Sequence, residues 1–165
     1  MAAAHPVAPR ADNHTPLRAD DFGIGSLFQV VRDAAVVGDA ATGRIVLWNP
    51  AAEALFGYAA VEAVGKPIEL LIPPHLQDAH RAGMGRFAAT GEHRLMATGR
   101  PVEVPAVHKD GRALTVELSL TPLPSARPGR YVLALVRDVT EQRQRQAERL
   151  HLLGTALDAT SIGLV

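Results

Sequence analysis

One histidine, His80, stands at a position that the surrounding pattern otherwise gives to small or apolar residues. Residues 74–87 have the periodicity of a helix. Its shared face carries Leu76, His80, Gly83, Met84 and Phe87. Arg100 follows twenty positions after His80, where a strand-like stretch begins.

These two residue types suggest a specific chemistry. An imidazole that faces an apolar interior can ligate a metal, including the iron of a heme group. A guanidinium across the same cavity can donate hydrogen bonds to a partly negative ligand of that iron, which favours oxygen over carbon monoxide. We therefore take His80 and Arg100 as a candidate gas-binding pair. The alternatives are an ordinary core histidine and a solvated arginine at a strand end.

Composition restricts the class of protein. The chain has 165 residues, with Lys+Arg and Asp+Glu both 17, so neither a basic stripe for nucleic acid nor an acidic tail is indicated. Cysteine is absent, which excludes disulfides, thiolate metal sites, a cysteine nucleophile and a flavin–cysteinyl photoadduct. No apolar run reaches membrane-spanning length. We expect a cytoplasmic protein, since the lack of cysteine fits a reducing compartment.

The chain divides into four expected segments. Residues 1–20 alternate Ala, Pro, His, Arg and Asp without a period, which predicts a disordered tail. Residues 21–140 should form the folded domain, and residues 141–155 a charged, Gln-rich linker helix for signalling. Residues 156–165 resemble the entry to the first strand, which predicts the truncated start of a second, similar domain.

The expected domain contains strands and helices in separate runs. Residues 24–31 should form an amphipathic helix, and Asn49 and Pro50 should begin a short helix that ends at Gly57. Predicted strands lie at 34–38, 44–48, 100–108, 112–121 and 130–137. Pro101 and Pro105 restrict the third of these to an edge. The order predicts an α+β fold, a five-stranded antiparallel sheet with helices packed on one face.

Five short motifs then support a family resemblance. They are WNPAAEALFGY at 48–58, VGKP at 64–67, LIPP at 71–74, HKDG at 108–111 and RDVTEQ at 137–142. In this order and spacing they resemble PAS sensor domains over about residues 23–141. The resemblance implies the PAS fold, but PAS domains bind heme, flavin, other small molecules or nothing detectable.

Within PAS domains, the chain is similar to heme-binding oxygen sensors. These are the bacterial oxygen-sensing histidine kinases of nitrogen fixation and the direct-oxygen-sensor cyclic-di-GMP phosphodiesterases. LQDAH at 76–80 resembles the segment with their proximal ligand, which implies that His80 binds iron and Arg100 is the distal arginine. Thr98 stands where the phosphodiesterases have a methionine. The resemblance therefore implies a pentacoordinate ferrous heme, or one with Arg100 or water at the distal site.

The expected cofactor is heme b, with a diatomic gas as its ligand. His80 is the expected metal ligand, and Arg86 and Arg94 are candidate partners for the heme propionates. The other side chains expected at the cofactor are Arg100, Met84, Leu95, Leu118, Leu133 and Leu135.

No enzyme site is evident in the sequence, which has no phosphate-binding glycine loop, nucleophile elbow or kinase signature. We expect a regulatory domain of a two-component or similar system, whose parent carries a kinase, phosphatase or cyclic-dinucleotide output. It should form a homodimer through its N-terminal and linker helices. Two alternatives are a cofactor-free PAS dimerisation module and a PAS domain that binds flavin or a small organic ligand.

Overall fold

A single antiparallel sheet of five strands forms the centre of the protein. The computed structural model describes residues 15–162. The strands are β1 (Ala34–Asp39), β2 (Arg44–Trp48), β3 (Val102–Val107), β4 (Ala113–Leu123) and β5 (Tyr131–Asp138). Their order across the sheet is β2-β1-β5-β4-β3, with each neighbouring pair antiparallel. This confirms the predicted α+β fold.

Most helices lie between β2 and β3 in the chain. The α-helices are α1 (Leu27–Val30), α2 (Pro50–Phe56), α3 (Ala60–Ala63), α4 (Gln77–Thr90), α5 (Arg94–Ala97) and α6 (Thr140–Ile162). Turns of 3-10 helix occupy Ala19–Phe22, Ile68–Leu71 and Pro74–Leu76. Ala52 and Phe56 of α2 and Ala63 of α3 pack on one face of the sheet, against Val36 and Val116 among others. Met84 and Phe87 of α4 pack on Val132 and Ala40.

The opposite face of the central strands is covered by the N-terminal segment. Phe22 and Phe28 pack against Val37 and Tyr131, and the rings of Phe22 and Tyr131 meet edge to face with centroids 5.0 Å apart. Between them, the two layers bury the apolar strands β1 and β5. The predicted helix over 24–31 is shorter than expected, because only Leu27–Val30 is α-helical.

Asn49 joins β2 to α2 and is fully buried. Its side-chain oxygen accepts hydrogen bonds from the backbone N–H of Ala35 at 2.8 Å and of Ala52 at 2.9 Å. Its amide donates to the Asp33 carbonyl at 3.2 Å. The predicted helix cap is therefore confirmed, and it also links α2 to β1. Gly57 ends α2 with φ of 81°, a left-handed conformation that glycine adopts without strain.

The third strand is shorter than predicted. β3 covers Val102–Val107, so Arg100 and His108 lie outside it. Arg100 instead belongs to the turn that ends α5, where its N–H donates to the Thr98 hydroxyl at 3.3 Å. The following residue, Pro101, has no N–H for a ladder. β3 is an edge strand that pairs only with β4, as its prolines predicted.

Both expected terminal segments lie partly outside the described residues. Of the expected tail, residues 1–14 are not described. Leu17 packs against the cluster that contains Phe22 and Phe28, and the carbonyl of Thr15 accepts a hydrogen bond from the Arg127 side chain. At the other end, α6 continues through Ile162 and therefore passes the expected end of the linker helix at 155. Residues 156–162 are helical, and residues 163–165 lie outside the described part of the chain.

Replacing Asn49 with alanine should destabilise the domain by about 3 kcal/mol, since a helix cap is lost and buried backbone N–H groups lose their acceptor. Chemical denaturation of the wild type and Asn49→Ala measures this difference. Ser26→Ala is the control, because Ser26 precedes α1 but its side chain makes no capping bond. Equal stability of the Asn49→Ala variant and the wild type would contradict the assigned role.

Candidate functional site

Helix α4 presents His80 beside the core rather than fully within it. The His80 side chain is 24% exposed, while Gly83, Met84 and Phe87 on the same helix face are buried. Met84, an expected cofactor contact, packs in the cluster that also contains Phe87 and Val132. His80 therefore lies where the apolar face of α4 reaches the surface.

A carboxylate holds one nitrogen of this imidazole. Nδ1 of His80 lies 3.1 Å from Oε1 of Glu69, and the Glu69 side chain is only 13% exposed. A carboxylate oxygen accepts hydrogen bonds, so this contact fits the neutral tautomer that carries its proton on Nδ1. Nε2 is then the nitrogen with a free lone pair, which is what a metal ligand requires.

A second histidine packs close to the same helix. His93 caps α5, and its Nδ1 accepts a hydrogen bond from the Leu95 N–H at 3.2 Å. A Cβ atom at Gly83 would lie only 2.9 Å from Nε2 of His93, so a glycine is needed for this approach. The pKa of His93 is lowered, first by burial and then by the neighbouring charges of His80 and Arg86.

An open cleft of about 720 Å³ lies beside α4 and α5. It brings together Arg86 and Arg94, the two arginines expected to contact propionates. The residues that line it are Arg86, Thr90, Gly91, Glu92, His93, Arg94, Met96, Ala97 and Pro122. His80 does not line this cleft, but His93 connects the cleft to the same face of α4.

Arg100 is exposed, and no hydrogen bond within residues 15–162 joins it to His80. Its described hydrogen bonds are those of its backbone with Thr98, whose hydroxyl also donates to the Leu95 carbonyl. The residue lies just before β3, so its distal role stays a prediction.

The remaining expected pocket residues divide between the two faces of the sheet. Leu118 of β4 packs with the cluster beneath α2 and α3, and Leu95 is half-buried on α5. Leu133 and Leu135 instead pack on the opposite face, with the cluster that contains Phe22 and Phe28. In the sheet, Leu133 pairs with Val37 and Leu135 with Ala35. Their neighbours Ala134 and Val136 instead pack in the cluster on the helix-covered face. The two leucines therefore lie on the sheet face opposite the helices, and their contact with a cofactor stays a prediction.

The side chains of the described residues do not form a metal site by themselves. Within residues 15–162, no group of three or more His, Asp or Glu is arranged to hold a metal ion.

Sequence reasoning did not identify Glu69 or the position of His93. Glu69 is eleven residues before His80 in a 3-10 turn, so no helical or strand periodicity relates the two. His93 caps a four-residue helix in a stretch that had no predicted structure. Their proximity to α4 is a property of the folded chain.

Comparison with known proteins gives a consistent result. A family model described as PAS domain matches residues 32–141. Sensor protein FixL of Bradyrhizobium diazoefficiens is 31% identical over 131 residues, which are 79% of this chain and 25% of that protein. Oxygen sensor protein DosP of Escherichia coli is 31% identical over 132 residues, 79% of this chain and 16% of that protein. The chain thus spans a quarter or less of the length of these relatives.

Solved structures share the fold. The PAS domain of a protein from Colwellia psychrerythraea has a TM-score of 0.56 at 28% identity, covering 69% of this chain and 92% of that one. An RNA-binding light-oxygen-voltage receptor has a TM-score of 0.56 at 25% identity, covering 93% of this chain and 43% of that one. In the described part of this chain, no helix combines the length and apolarity needed to cross a bilayer.

The lowered pKa of His93 predicts a loss of stability on acidification. As the pH falls below the ordinary histidine value of about 6.5, the unfolded chain binds a proton that folded His93 still excludes. The stability that His93 contributes in its neutral form is thus present above that pH and lost below it. Thermal unfolding between pH 7.5 and 5 should show a smaller loss in His93→Asn, which retains a capping acceptor.

His151→Asn, on the exposed helix α6, is the control and should behave like the wild type. If His93→Asn loses as much stability as the wild type over this range, burial of neutral His93 is not the cause.

Proposed function

This chain belongs to the PAS domain family, and on that premise we propose that it is a heme-binding sensor of oxygen or another diatomic gas or redox state. PAS domains are regulatory sensor modules, so the proposed role is signalling without catalysis of its own. The signal would pass through the flanking helices to an output domain of the parent protein, such as a histidine kinase, a phosphatase or a cyclic-di-GMP enzyme.

One observation carries the proposal. His80 lies at the edge of an apolar helix face, with Nδ1 held by Glu69 and Nε2 left to ligate iron. A neutral imidazole oriented by a carboxylate is a common arrangement at metal sites. The likeness to an oxygen sensor protein supports the same reading.

Other expected site residues would support a heme group. Met84, Leu95 and Leu118 supply apolar side chains, which would limit the access of water to the iron. Arg86 and Arg94 border one cleft and would pair with carboxylates such as the propionates. Heme, when bound, supplies the iron that takes up a diatomic gas. Arg100 would donate hydrogen bonds to a polar gas ligand after a movement of the turn that precedes β3.

An ion pair connects β3 to the C-terminal helix. Nε of Arg143 on α6 donates to Oε2 of Glu103 on β3 at 2.7 Å, and a second nitrogen of Arg143 contacts the other carboxylate oxygen. This pairing lowers the pKa of Glu103. Because Arg100 lies three residues before Glu103, a movement of this strand would be transmitted to α6. We propose this path for the signal.

We also propose a homodimer. Leu150 and Leu153 are exposed on α6, and Leu27 and Val30 are exposed on α1. Exposed apolar residues on two helices at the ends of the domain suit a helix-mediated interface.

A second candidate is a flavin or another small organic ligand, favoured by the likeness to a light-oxygen-voltage receptor. The cleft beside α5 would then be the entrance. Without cysteine, a flavin could not form a cysteinyl adduct here. The third candidate is a cofactor-free dimerisation module. Absorption spectra distinguish bound heme, bound flavin and a protein without either cofactor.

Protein expressed with added heme should show a Soret band, and His80→Ala should abolish it because the proposed iron ligand is removed. His75→Ala is the matched control, since His75 is exposed in the turn before α4. A wild-type protein that takes up no heme would falsify the proposed cofactor. A flavin spectrum would favour the second candidate.

In heme-loaded protein, Arg100→Ala should lower the affinity for oxygen about tenfold or more and that for carbon monoxide less, because the loss of one charge-assisted hydrogen bond costs about 1.5–3 kcal/mol. Gas titrations followed by absorption measure both. Arg112→Ala, on the turn between β3 and β4, is the control. An unchanged oxygen affinity in Arg100→Ala removes this residue from the site.

A further inference from the structure

Glu69 is fixed in place from two sides. The 3-10 turn that carries it is tied to the β1–β2 hairpin, since the Ile68 N–H donates to the Gly43 carbonyl at 3.0 Å. At the other side, the Gln77 amide donates to the carbonyls of Glu69 at 3.2 Å and Ile72 at 3.1 Å. Gln77 is the first residue of α4, so the turn and the helix that carries His80 are held together one turn before His80.

The carboxylate of Glu69 also has a balancing charge. Nε of Arg81 lies 3.8 Å from the same oxygen that contacts His80, and Arg81 is held in turn by Asp78 at 2.6 Å. Burying a charged side chain costs less when an opposite charge lies beside it. Glu69 can therefore act as a steady acceptor for the imidazole N–H.

We propose that Glu69 is the positioning residue of His80: it fixes the Nδ1–H tautomer, leaves Nε2 free to bind and increases the electron density that this nitrogen gives to a metal. The inference rests on the proposed heme site for its effect on iron. The orienting role belongs to the protein itself and exists without a cofactor. Carboxylates that hydrogen-bond a metal-binding histidine in this way typically change metal affinity by about 10–100-fold.

The test uses Glu69→Gln, which keeps the shape of the side chain but removes its charge. In heme-free protein, imidazole ¹⁵N spectra should show His80 in the Nδ1–H form in the wild type and shifted toward the Nε2–H form in the variant. In heme-loaded protein, the variant should have a lower iron–histidine stretching frequency, a higher reduction potential and about tenfold faster heme loss.

Glu62→Gln is the matched control. Glu62 lies on α3, forms an ion pair with Lys109 at 2.6 Å and has no described contact with His80. It should leave all four measurements unchanged. A wild-type protein that takes up no heme overturns the proposed function and the effect on iron together. A heme-loaded Glu69→Gln protein with wild-type frequency and potential, or an Nε2–H tautomer in the wild type, overturns this inference alone.

Discussion

The need to cover both faces of β1 and β5 organises this domain. Every residue from Ala34 to Gly38 is buried, and β5 from Tyr131 to Val136 has no fully exposed position. Such strands cannot leave one face in water, because both sets of alternating side chains are apolar. The helices between β2 and β3 cover one face and the N-terminal segment covers the other. The sheet order, with these two strands in the interior, follows from the same requirement.

The candidate site lies where this covering is incomplete. Helix α4 buries Met84 and Phe87 but leaves His80 at the edge, where a polar side chain can be satisfied. Glu69 accepts a hydrogen bond from the half-buried imidazole, and this bond offsets the free-energy cost of holding the ring in one orientation. An ordinary core histidine would need both nitrogens satisfied. Here Glu69 engages Nδ1, and we propose that the other nitrogen binds the ligand.

At the edge of the sheet, β3 contacts the C-terminal helix α6. β3 pairs on one side only, so it has fewer ladder hydrogen bonds to restrain it than the interior strands. Arg143 of α6 pairs with Glu103 on this strand, and Thr140 anchors the start of the helix by hydrogen bonds with Thr115 of β4. The helix is thus attached to the edge strand β3 and to its neighbour β4.

Features that depend on local interactions could be predicted from the sequence. Asn49 with Pro50, Gly57 and the proline-limited edge strand were predicted because a cap, a left-handed turn and a missing N–H act within a few residues. His80 was singled out because helical spacing is also local. The order of strands and helices then gave the α+β class.

Features that depend on distant parts of the chain became evident only in the folded protein. The apolar run of β5 has no alternation, so the sequence could not tell that Leu133 and Leu135 face away from the helices. Glu69 and His93 approach α4 through turns that no periodicity relates to it. Arg100 lies outside its strand because pairing with β4 begins only at Val102. Each of these outcomes depends on contacts made after the elements pack, which is why spacing alone could not give them.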